Sequence, residues 1–265
     1  MGRIKLIALD IDLTLTVEKD IISERNLKAI REAQQAGIFV TIATGRGFLS
    51  SRKIWKALEI GGPTIQYGGA MLVHSPDGTP IEVHGLAPET VAQALQIAHE
   101  LGIHIQIFDG DTVVTEKDCT FFDFYHKRTD LPFRIEPDLR QRQHTGVPKA
   151  LAYAEPEQAV KLAPVFAERL RGLAGVTISS PGFIEINTLG TNKGIALARM
   201  AEMLGIRQEE TAALGDGTID LSMIRWAGDG VAVDNAVEAV KAEADIIVPS
   251  CADDGVAYYI EHYCL

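Results

Sequence analysis

Short apolar segments alternate with helix-like segments at both ends of the 265-residue chain, and this alternation constrains the fold more than any other feature. Residues 4–9 and 38–43 are apolar and rich in β-branched residues, as buried parallel strands are. Residues 23–36 between them have helical periodicity and are followed by Gly37, which favours a helix end. A strand–helix–strand order predicts a doubly wound parallel α/β sheet.

The middle of the chain has a different pattern. Short strands joined by hairpins alternate with helices at 88–101 and 156–171, which indicates an α+β unit inserted in the chain. We therefore predict a discontinuous core domain of residues 1–83 and 188–265, with an insert of residues 84–187. Residues 121–127 are predicted to be helical, while the polar stretch 129–148 predicts no element. The remaining predicted elements of the core are hairpin strands at 71–73 and 81–83, helices at 48–58, 192–204, 219–226, 236–244 and 253–263, and strands at 211–214, 230–233 and 245–248. The predicted strands of the insert are 103–108, 112–115, 150–154, 176–179 and 183–187.

Composition narrows the possible functions. The chain has 36 acidic and 25 basic residues, for a net charge of −11, and 46% hydrophobic residues. The apolar content is enough for a folded core, and the negative charge argues against broad binding to nucleic acid or anionic membranes. We find no secretory signal, no membrane-length apolar stretch and no metal-like cysteine spacing, so we expect a cytoplasmic protein with reduced thiols.

Polar clusters follow three predicted strands at their carboxyl ends, where ligands of an open parallel sheet bind. Carboxylates in one pocket repel each other unless a cation is present, and Mg²⁺ suits one or two carboxylates with phosphate and water. The sequence therefore predicts a site that combines a metal ion with a phosphate group. Its members are Asp10 and Asp12 after the first strand, Thr44, Gly45 and Arg46 after the second, Asp216 and Asp220 after the third, and Lys193 at a helix start.

The same clusters resemble the four motifs of the haloacid dehalogenase (HAD) superfamily, and within it the Cof-type sugar-phosphatase branch. Asp10–Leu15 resembles the first motif, Ala43–Arg46 the second, Thr191–Gly194 the third and Gly215–Asp220 the fourth. The insert lies between motifs two and three, where this branch carries its cap domain. The resemblance implies a HAD-like Rossmannoid core with an inserted α+β cap that closes over a small phosphorylated substrate.

The resemblance also implies a role for each motif residue. Asp10 is expected to attack phosphorus and form an aspartyl-phosphate, while Asp12 protonates the leaving oxygen and then activates water. Lys193 is expected to neutralise charge on the phosphate and on Asp10, and is placed among both the catalytic and the substrate-binding residues. The expected metal ligands are the side chains of Asp10 and Asp216 and the backbone carbonyl of Asp12. Asp220 is expected to orient metal-bound water or Lys193. Thr44, Gly45 and Arg46 are expected to bind the substrate.

Some positions depart from the branch. Leu13 stands where glycine is usual, Ile219 where asparagine is usual, and Asp234 where glycine is usual. Gly68 also replaces an asparagine that is common in a Asn-Gly-Ala segment. A lost side-chain amide at position 219 would remove a hydrogen bond worth about 1.5–3 kcal/mol if its partner were charged. These changes predict weakened or narrowed activity.

Three functions are compatible with the motifs to different degrees. We favour a Mg²⁺-dependent phosphatase of small phosphorylated metabolites, above all sugar phosphates. A phosphomutase would share the same residues, and a binding module without turnover is supported only by Leu13 and Ile219. A dinucleotide-binding domain is disfavoured because no G-x-G-x-x-G follows the first strand. Polar candidates for substrate contact in the insert are His104, Asp109, Asp111, His126 and Arg128.

Overall fold

The structure is a computed structural model, and it describes residues 4–18, 20–119, 125, 129 and 131–265. The chain divides into two compact units. The core unit comprises Met1–Glu82 and Thr191–Leu265, and the inserted unit comprises Val83–Gly190. The insert expected at 84–187 differs from this unit by one residue at its start and three at its end.

A parallel sheet of five strands forms the centre of the core unit. The strands are β1 (Leu6–Leu9), β2 (Phe39–Ile42), β12 (Thr211–Gly215), β13 (Asp229–Val233) and β14 (Ile246–Val248). Their order in the sheet is β14-β13-β12-β1-β2, so the first strand of the chain lies between its sequence neighbour and a strand from the far end of the chain. All four residues of β1 are buried, which explains why this strand is a continuous apolar run.

Two helices of the core unit begin at a side chain that accepts a hydrogen bond from a free backbone N–H group. The Ser23 hydroxyl accepts a hydrogen bond from the Asn26 N–H at 3.0 Å, which fixes the start of the first helix. Leu197, Met200 and Met223 are fully buried and belong to an apolar cluster that includes Leu6 of β1. The helices are α1 (Glu24–Gln35), α2 (Arg52–Ala57), α5 (Lys193–Met203), α6 (Leu221–Trp226), α7 (Glu238–Lys241) and α8 (Gly255–Tyr259).

A second, three-stranded sheet follows α2 in the core unit. It consists of β3 (Pro63–Gln66), β4 (Met71–His74) and β5 (Thr79–Val83). The hairpin predicted around residues 75–78 joins β4 to β5, whereas β3 is not predicted from the sequence. Tyr67–Gly69 forms a tight turn between β3 and β4, in which Gly68 and Gly69 have φ values of 66° and 103°.

The inserted unit has its own sheet and its own apolar core. The strands are β6 (His104–Asp109), β7 (Thr112–Thr115), β8 (Phe133–Ile135), β9 (Lys149–Tyr153), β10 (Ala174–Ser180) and β11 (Phe183–Thr188). Their order in the sheet is β10-β11-β9-β6-β7-β8, antiparallel except for the β7–β8 pair. Helices α3 (Pro88–Leu101) and α4 (Pro156–Arg169) contribute Leu95 and Phe166 to the buried cluster of this unit.

Several predicted elements differ from the observed ones. The stretch 129–148, which predicts no element, contains β8 and a short 3-10 turn at Leu139–Gln141. The helix expected at 253–263 is an α-helix only as far as Tyr259 and continues as one wider turn, Ile260–Cys264. The helix expected at 236–244 is reduced to the four residues of α7. The helix predicted at 121–127 lies outside the described residues, except for Tyr125.

Candidate active site

Lys193 lies at the centre of a buried charge cluster at the carboxyl edge of the core sheet. Its ammonium group donates hydrogen bonds to Asp10 Oδ1 at 2.6 Å and to Asp220 Oδ1 at 2.5 Å. The lysine is fully buried, and Asp10 directly follows β1. Burial would lower the pKa of Lys193, but the two carboxylates raise it above its usual value. The lysine therefore stays charged inside the fold.

The start of α5 is held tightly, and this fixes where Lys193 points. The Asn192 side chain accepts a hydrogen bond from the Ile195 N–H at 2.9 Å, and the Thr191 hydroxyl donates to the Gly69 carbonyl at 2.8 Å. A side chain at Gly69 would overlap the backbone of Asn192, which explains the glycine. The turn between β3 and β4 thus supports the helix end that carries the lysine.

Asp220 organises the loop that follows β12. Its Oδ2 accepts hydrogen bonds from the backbone N–H groups of Asp216 at 3.1 Å and Gly217 at 3.0 Å. Its other oxygen faces Lys193, so both oxygens of this carboxylate are occupied by donors. Asp216 itself accepts a hydrogen bond from the Thr14 hydroxyl at 2.9 Å, which joins the loop after β12 to the loop after β1.

Three carboxylates converge beside one lysine. Asp10, Asp216 and Asp220 each offer an oxygen atom, and these atoms all lie within 4.8 Å of one another. Burial, with added repulsion from Asp220 and Asp216, raises the pKa of Asp10 to about 7 against the opposing effect of Lys193. Burial also raises the pKa of Asp216 to about 6. A set of hard oxygen donors of this kind, whose charge Lys193 neutralises only in part, fits a divalent cation such as Mg²⁺.

Arg46 makes ion pairs with two aspartates at the edge of this cluster. Its Nε and Nη2 donate to the two carboxylate oxygens of Asp12 at 2.9 and 2.5 Å, which is a bidentate pair. Its Nη1 donates to Asp20 Oδ1 at 2.5 Å and to the Ser50 carbonyl at 3.3 Å. The sequence predicts Arg46 as a substrate contact, and that role stays a prediction; the structure shows the arginine bound to Asp12 and Asp20.

Thr44 and Gly45 form the turn between β2 and Arg46. The Thr44 hydroxyl accepts a hydrogen bond from the Arg46 N–H at 3.1 Å, and Thr44 is almost fully buried. The side chain of Ile219 lies near the Cβ positions that side chains at Gly45 and Gly68 would take, at 3.9 and 3.4 Å. The residues of the second motif are therefore held beside the loop that carries the fourth motif.

The two unusual apolar residues of the motifs are both exposed. Leu13 is 54% exposed and has a φ of 62°, a backbone conformation that glycine adopts more easily. Ile219 is 51% exposed. Since neither side chain is packed in the apolar core, the packing of the core does not account for either residue.

The predicted members of the site that lie in the core unit are brought together, and the structure adds residues that sequence reasoning missed. Thr14 lies within the first motif, but the motif gives no indication of its bond to Asp216. Asn235 donates to the Leu13 carbonyl at 2.8 Å, and Asp20 binds Arg46. No spacing rule indicates these contacts, because they depend on how the loops fold.

The residues of the inserted unit that are predicted to contact substrate have different surroundings in the structure. His104 lies 3.2 Å from Cys119 Sγ through Nδ1 and 3.2 Å from Gln106 Oε1 through Nε2. Asp109 pairs with Arg134 at 3.1 Å. Asp111 is exposed only in part, and His126 and Arg128 lie outside the described residues. Roles for these residues stay predictions.

The comparisons with known proteins identify the family of this chain, with its parallel sheet and its buried lysine between carboxylates. Residues 7–260 match the family model of haloacid dehalogenase-like hydrolases. The protein belongs to this family, which confirms the predicted superfamily, fold class and hydrolase activity. Among the described residues, no helix is both long and apolar enough to cross a membrane.

The protein is similar over its whole length to phosphatases. It is 31% identical to the 5-amino-6-(5-phospho-D-ribitylamino)uracil phosphatase of Bacillus subtilis, over 99% of this chain and 96% of that protein. It is 26% identical to the HMP-PP phosphatase of Yersinia pseudotuberculosis, over 98% and 95% of the two chains. The crystal structure of a haloacid dehalogenase-like hydrolase from Bacteroides thetaiotaomicron has a TM-score of 0.88 and 32% identity, over 97% and 98% of the two chains. The predicted enzyme class, a phosphatase, is confirmed by these relatives.

Proposed function

We propose that the protein is a Mg²⁺-dependent phosphatase that hydrolyses small phosphorylated metabolites, in particular sugar phosphates, through an aspartyl-phosphate. The observation that carries this proposal is the contact of the buried Lys193 ammonium with Asp10 and Asp220, beside Asp216. A fixed positive charge next to a carboxylate nucleophile is what an incoming phosphate dianion requires. The names of the relatives, which are phosphatases of small molecules, support the substrate class.

Asp10 is the proposed nucleophile. It lies directly after the central strand β1, and its backbone N–H donates to the Leu214 carbonyl at 3.0 Å, so its position is set by the sheet. Attack by a carboxylate oxygen on phosphorus yields an acyl phosphate, which water hydrolyses readily. Lys193 holds the Asp10 carboxylate in place and offsets negative charge as the phosphate approaches.

Asp12 is the proposed acid and base. Its carboxylate is 59% exposed, in contrast to the nearly buried carboxylate of Asp10. An exposed carboxyl two residues after the nucleophile can reach the leaving oxygen, give it a proton and later take one from water. Arg46 holds both oxygens of Asp12 and so sets the direction of this carboxyl group.

The metal would be held by the carboxylates of Asp10 and Asp216 and by the Asp12 carbonyl. Asp220 is the proposed supporting residue, because its oxygens already accept hydrogen bonds from Lys193 and from the loop N–H groups. When bound, Mg²⁺ would supply positive charge to the phosphate oxygens and relieve the repulsion among the carboxylates. Thr44, Gly45 and Arg46 are the proposed phosphate and substrate contacts from the second motif.

A phosphate-release assay tests the proposal. The substrates are hexose and pentitol phosphates, together with the substrates after which the two relatives are named. We expect release that requires Mg²⁺, stops on addition of EDTA and is lost in Asp10→Asn. Asp245→Asn is the matched control, because the Asp245 carboxylate accepts a hydrogen bond from the Gly230 N–H at 2.9 Å and is not among the carboxylates of the proposed site.

The same assay separates the alternative functions. Transfer of the phosphoryl group to a second sugar hydroxyl without phosphate release would identify a phosphomutase. Binding of sugar phosphates without turnover, in protein saturated with Mg²⁺, would identify a binding module. Either result would contradict the proposed hydrolysis.

A further inference from the structure

Asp20 has no place in the motifs, yet it contacts the residue that holds Asp12. Its Oδ1 accepts a hydrogen bond from Arg46 Nη1 at 2.5 Å. Its carboxylate is only 12% exposed, and Lys53 Nζ lies 3.7 Å from Oδ2. A mostly buried carboxylate needs a positively charged partner, so the ion pair between Asp20 and Arg46 fixes the positions of both groups.

The planar guanidinium group of Arg46 couples its contact with Asp20 to its contact with Asp12. The guanidinium group is planar, and its five N–H groups point in fixed directions. Asp20 and the Ser50 carbonyl hold Nη1, while Nε and Nη2 face the two oxygens of Asp12. Because one end of the plane is anchored, the edge that faces Asp12 is anchored as well.

The backbone of Asp20 has an unusual conformation. Its φ is 63°, in the left-handed region that non-glycine residues seldom adopt, although aspartate and asparagine tolerate it better than most. This conformation carries some energetic cost. Asp20 adopts it while its carboxylate, which is 12% exposed, contacts an arginine side chain that is 14% exposed, and this combination suits a positioning role.

We propose that Asp20 is a positioning residue that orients the Asp12 carboxyl group through Arg46. This inference rests on the proposed function, in which Asp12 gives a proton to the leaving oxygen. Without Asp20, Arg46 Nη1 keeps only its longer hydrogen bond to the Ser50 carbonyl, so Arg46 gains freedom to rotate away from its bidentate contact with Asp12. The Asp12 carboxyl group is then less well oriented to give its proton to the leaving oxygen. The contacts of Asp10, Lys193 and Asp216 stay unchanged.

The leaving group offers a readout that a purely structural role would not change. A sugar alkoxide is a poor leaving group and needs a proton in the transition state, whereas p-nitrophenolate leaves without one. General acid catalysis contributes roughly 100- to 10,000-fold where it is needed. Loss of positioning should therefore reduce hydrolysis of an alkyl phosphate much more than hydrolysis of an aryl phosphate.

The test measures kcat/KM for glucose 6-phosphate and p-nitrophenyl phosphate in the wild type and in two variants, Asp20→Asn and Asp20→Gly. Asparagine nearly preserves the shape, and glycine removes the side chain while accepting the positive φ, so neither variant strains the backbone. We expect a loss of about 10-fold or more on glucose 6-phosphate, a part of the full general-acid effect, with little change on p-nitrophenyl phosphate.

Asp77→Asn is the control, because Asp77 is exposed and its carboxylate contacts His74 and Thr79 of its own turn. Equal losses on both esters, or no loss on either, in variants of an active wild type would overturn the role of Asp20 alone. A wild type that releases phosphate from neither ester nor from any other phosphorylated metabolite would overturn the proposed function and this inference with it.

Discussion

The buried side chain of Lys193 affects both the stability and the chemistry of the site. Its ammonium group donates a hydrogen bond to Asp10 and another to Asp220. A buried ion pair contributes little net stability, but removing one partner leaves the other charge buried and uncompensated. The lysine is therefore needed for the fold of the site as well as for its chemistry.

The variant Lys193→Met tests this view, because methionine fills a similar volume without the charge. We expect the free energy of unfolding to fall by about 3 kcal/mol or more and phosphate release to be lost. Urea unfolding at neutral pH without metal measures the first effect. Lys28→Met, at a position where the lysine side chain is 78% exposed, should stay within about 0.5 kcal/mol of the wild type. An unchanged unfolding curve for Lys193→Met would contradict the argument.

At this scale, the sequence predicts which residues meet but not how each is held. Asp10, Asp216 and Lys193 converge because strand ends and a helix start meet at one edge of a parallel sheet. The anchoring of Arg46 by Asp20 depends on a loop with a positive φ, and no periodicity or spacing indicates that contact. The roles assigned to the residues stay predictions until they are tested.

At the scale of elements, close backbone contacts decide where the site residues lie. Gly194, next to Lys193, packs α5 against the start of α6 so closely that a side chain would overlap the Ser222 carbonyl. The Gly194 N–H also donates to the Ser222 hydroxyl at 3.1 Å. The distance between these helices is therefore set by the absence of a side chain.

We expect Gly194→Ala to destabilise the protein by about 1–3 kcal/mol, because the added methyl group forces α5 and α6 apart. The expected change runs against the usual stabilising effect of alanine in a helix. Thermal unfolding followed by circular dichroism measures it. Gly61→Ala is the matched control, since a Cβ there meets no atom within 4 Å and the φ is not positive. Equal melting temperatures for the two variants would contradict the prediction.

Glu210 joins the start of β1 to the start of β12. Its carboxylate lies 2.7 Å from Lys5 Nζ and 3.1 Å from Arg207 Nη2, and it accepts the Arg207 backbone N–H at 3.1 Å. These donors, Arg207 first, lower the pKa of Glu210 from 4.5 to about 2. A lowered pKa in the folded state means that the ionised form stabilises the fold.

The stabilisation by Glu210 should therefore depend on pH. It is fully present above pH 4.5 and is lost as the pH falls from 4.5 through 2, because the unfolded chain takes up the proton first. We expect Glu210→Gln to be less stable than the wild type at pH 7, with the difference shrinking toward pH 3. Urea unfolding at the two pH values measures it, and Glu209→Gln serves as a control. If the difference in unfolding free energy between the wild type and Glu210→Gln grew as the pH fell, the prediction would be wrong.

The missed strand β3 shows why some elements are not visible in the sequence. Thr64 and Gln66 are fully buried but polar, so β3 lacks the apolar alternation that predicts a strand. The Thr64 hydroxyl donates to the Val73 carbonyl at 3.1 Å, and Gln66 Nε2 donates to Thr64 at 3.0 Å. Internal hydrogen bonds replace hydrophobic burial here, and they become apparent only in the folded chain.

At the scale of the whole molecule, the three cysteines differ in their surroundings. Cys251 and Cys264 are buried in the core unit, and burial raises the pKa of each thiol to about 11. Cys119 in the inserted unit is partly exposed, with its sulfur 3.2 Å from His104 Nδ1. Since the thiolate is the reactive form, the two buried cysteines should react slowly.

We expect iodoacetamide to modify Cys119 first in the native protein, with Cys251 and Cys264 protected until it unfolds. Mass spectrometry of peptides, after short labelling at pH 8 with and without urea, measures the order. His104→Gln separates the effect of exposure from that of the imidazole contact. Modification of either buried cysteine before Cys119 would show that the core unit opens more easily than its packing indicates.

Strand–helix alternation stops and later returns along the chain, and this change predicts a discontinuous core with an insert. The predicted insert, 84–187, and the compact unit Val83–Gly190 differ by one residue at the start and three at the end. Inside the insert, β8 has three exposed residues, so its sequence lacks the buried face that identifies a strand.

The neighbours of β1 have a consequence for the order in which the protein can form during synthesis. One neighbour, β2, follows within about thirty residues, but the other, β12, begins only at Thr211. A nascent chain on the ribosome therefore completes the inserted unit, which has a sheet of its own, before the central strand has both partners. Until then, β1 has one edge without a hydrogen-bonding partner and exposed apolar side chains, so a chaperone that shields such strands would bind the chain at β1.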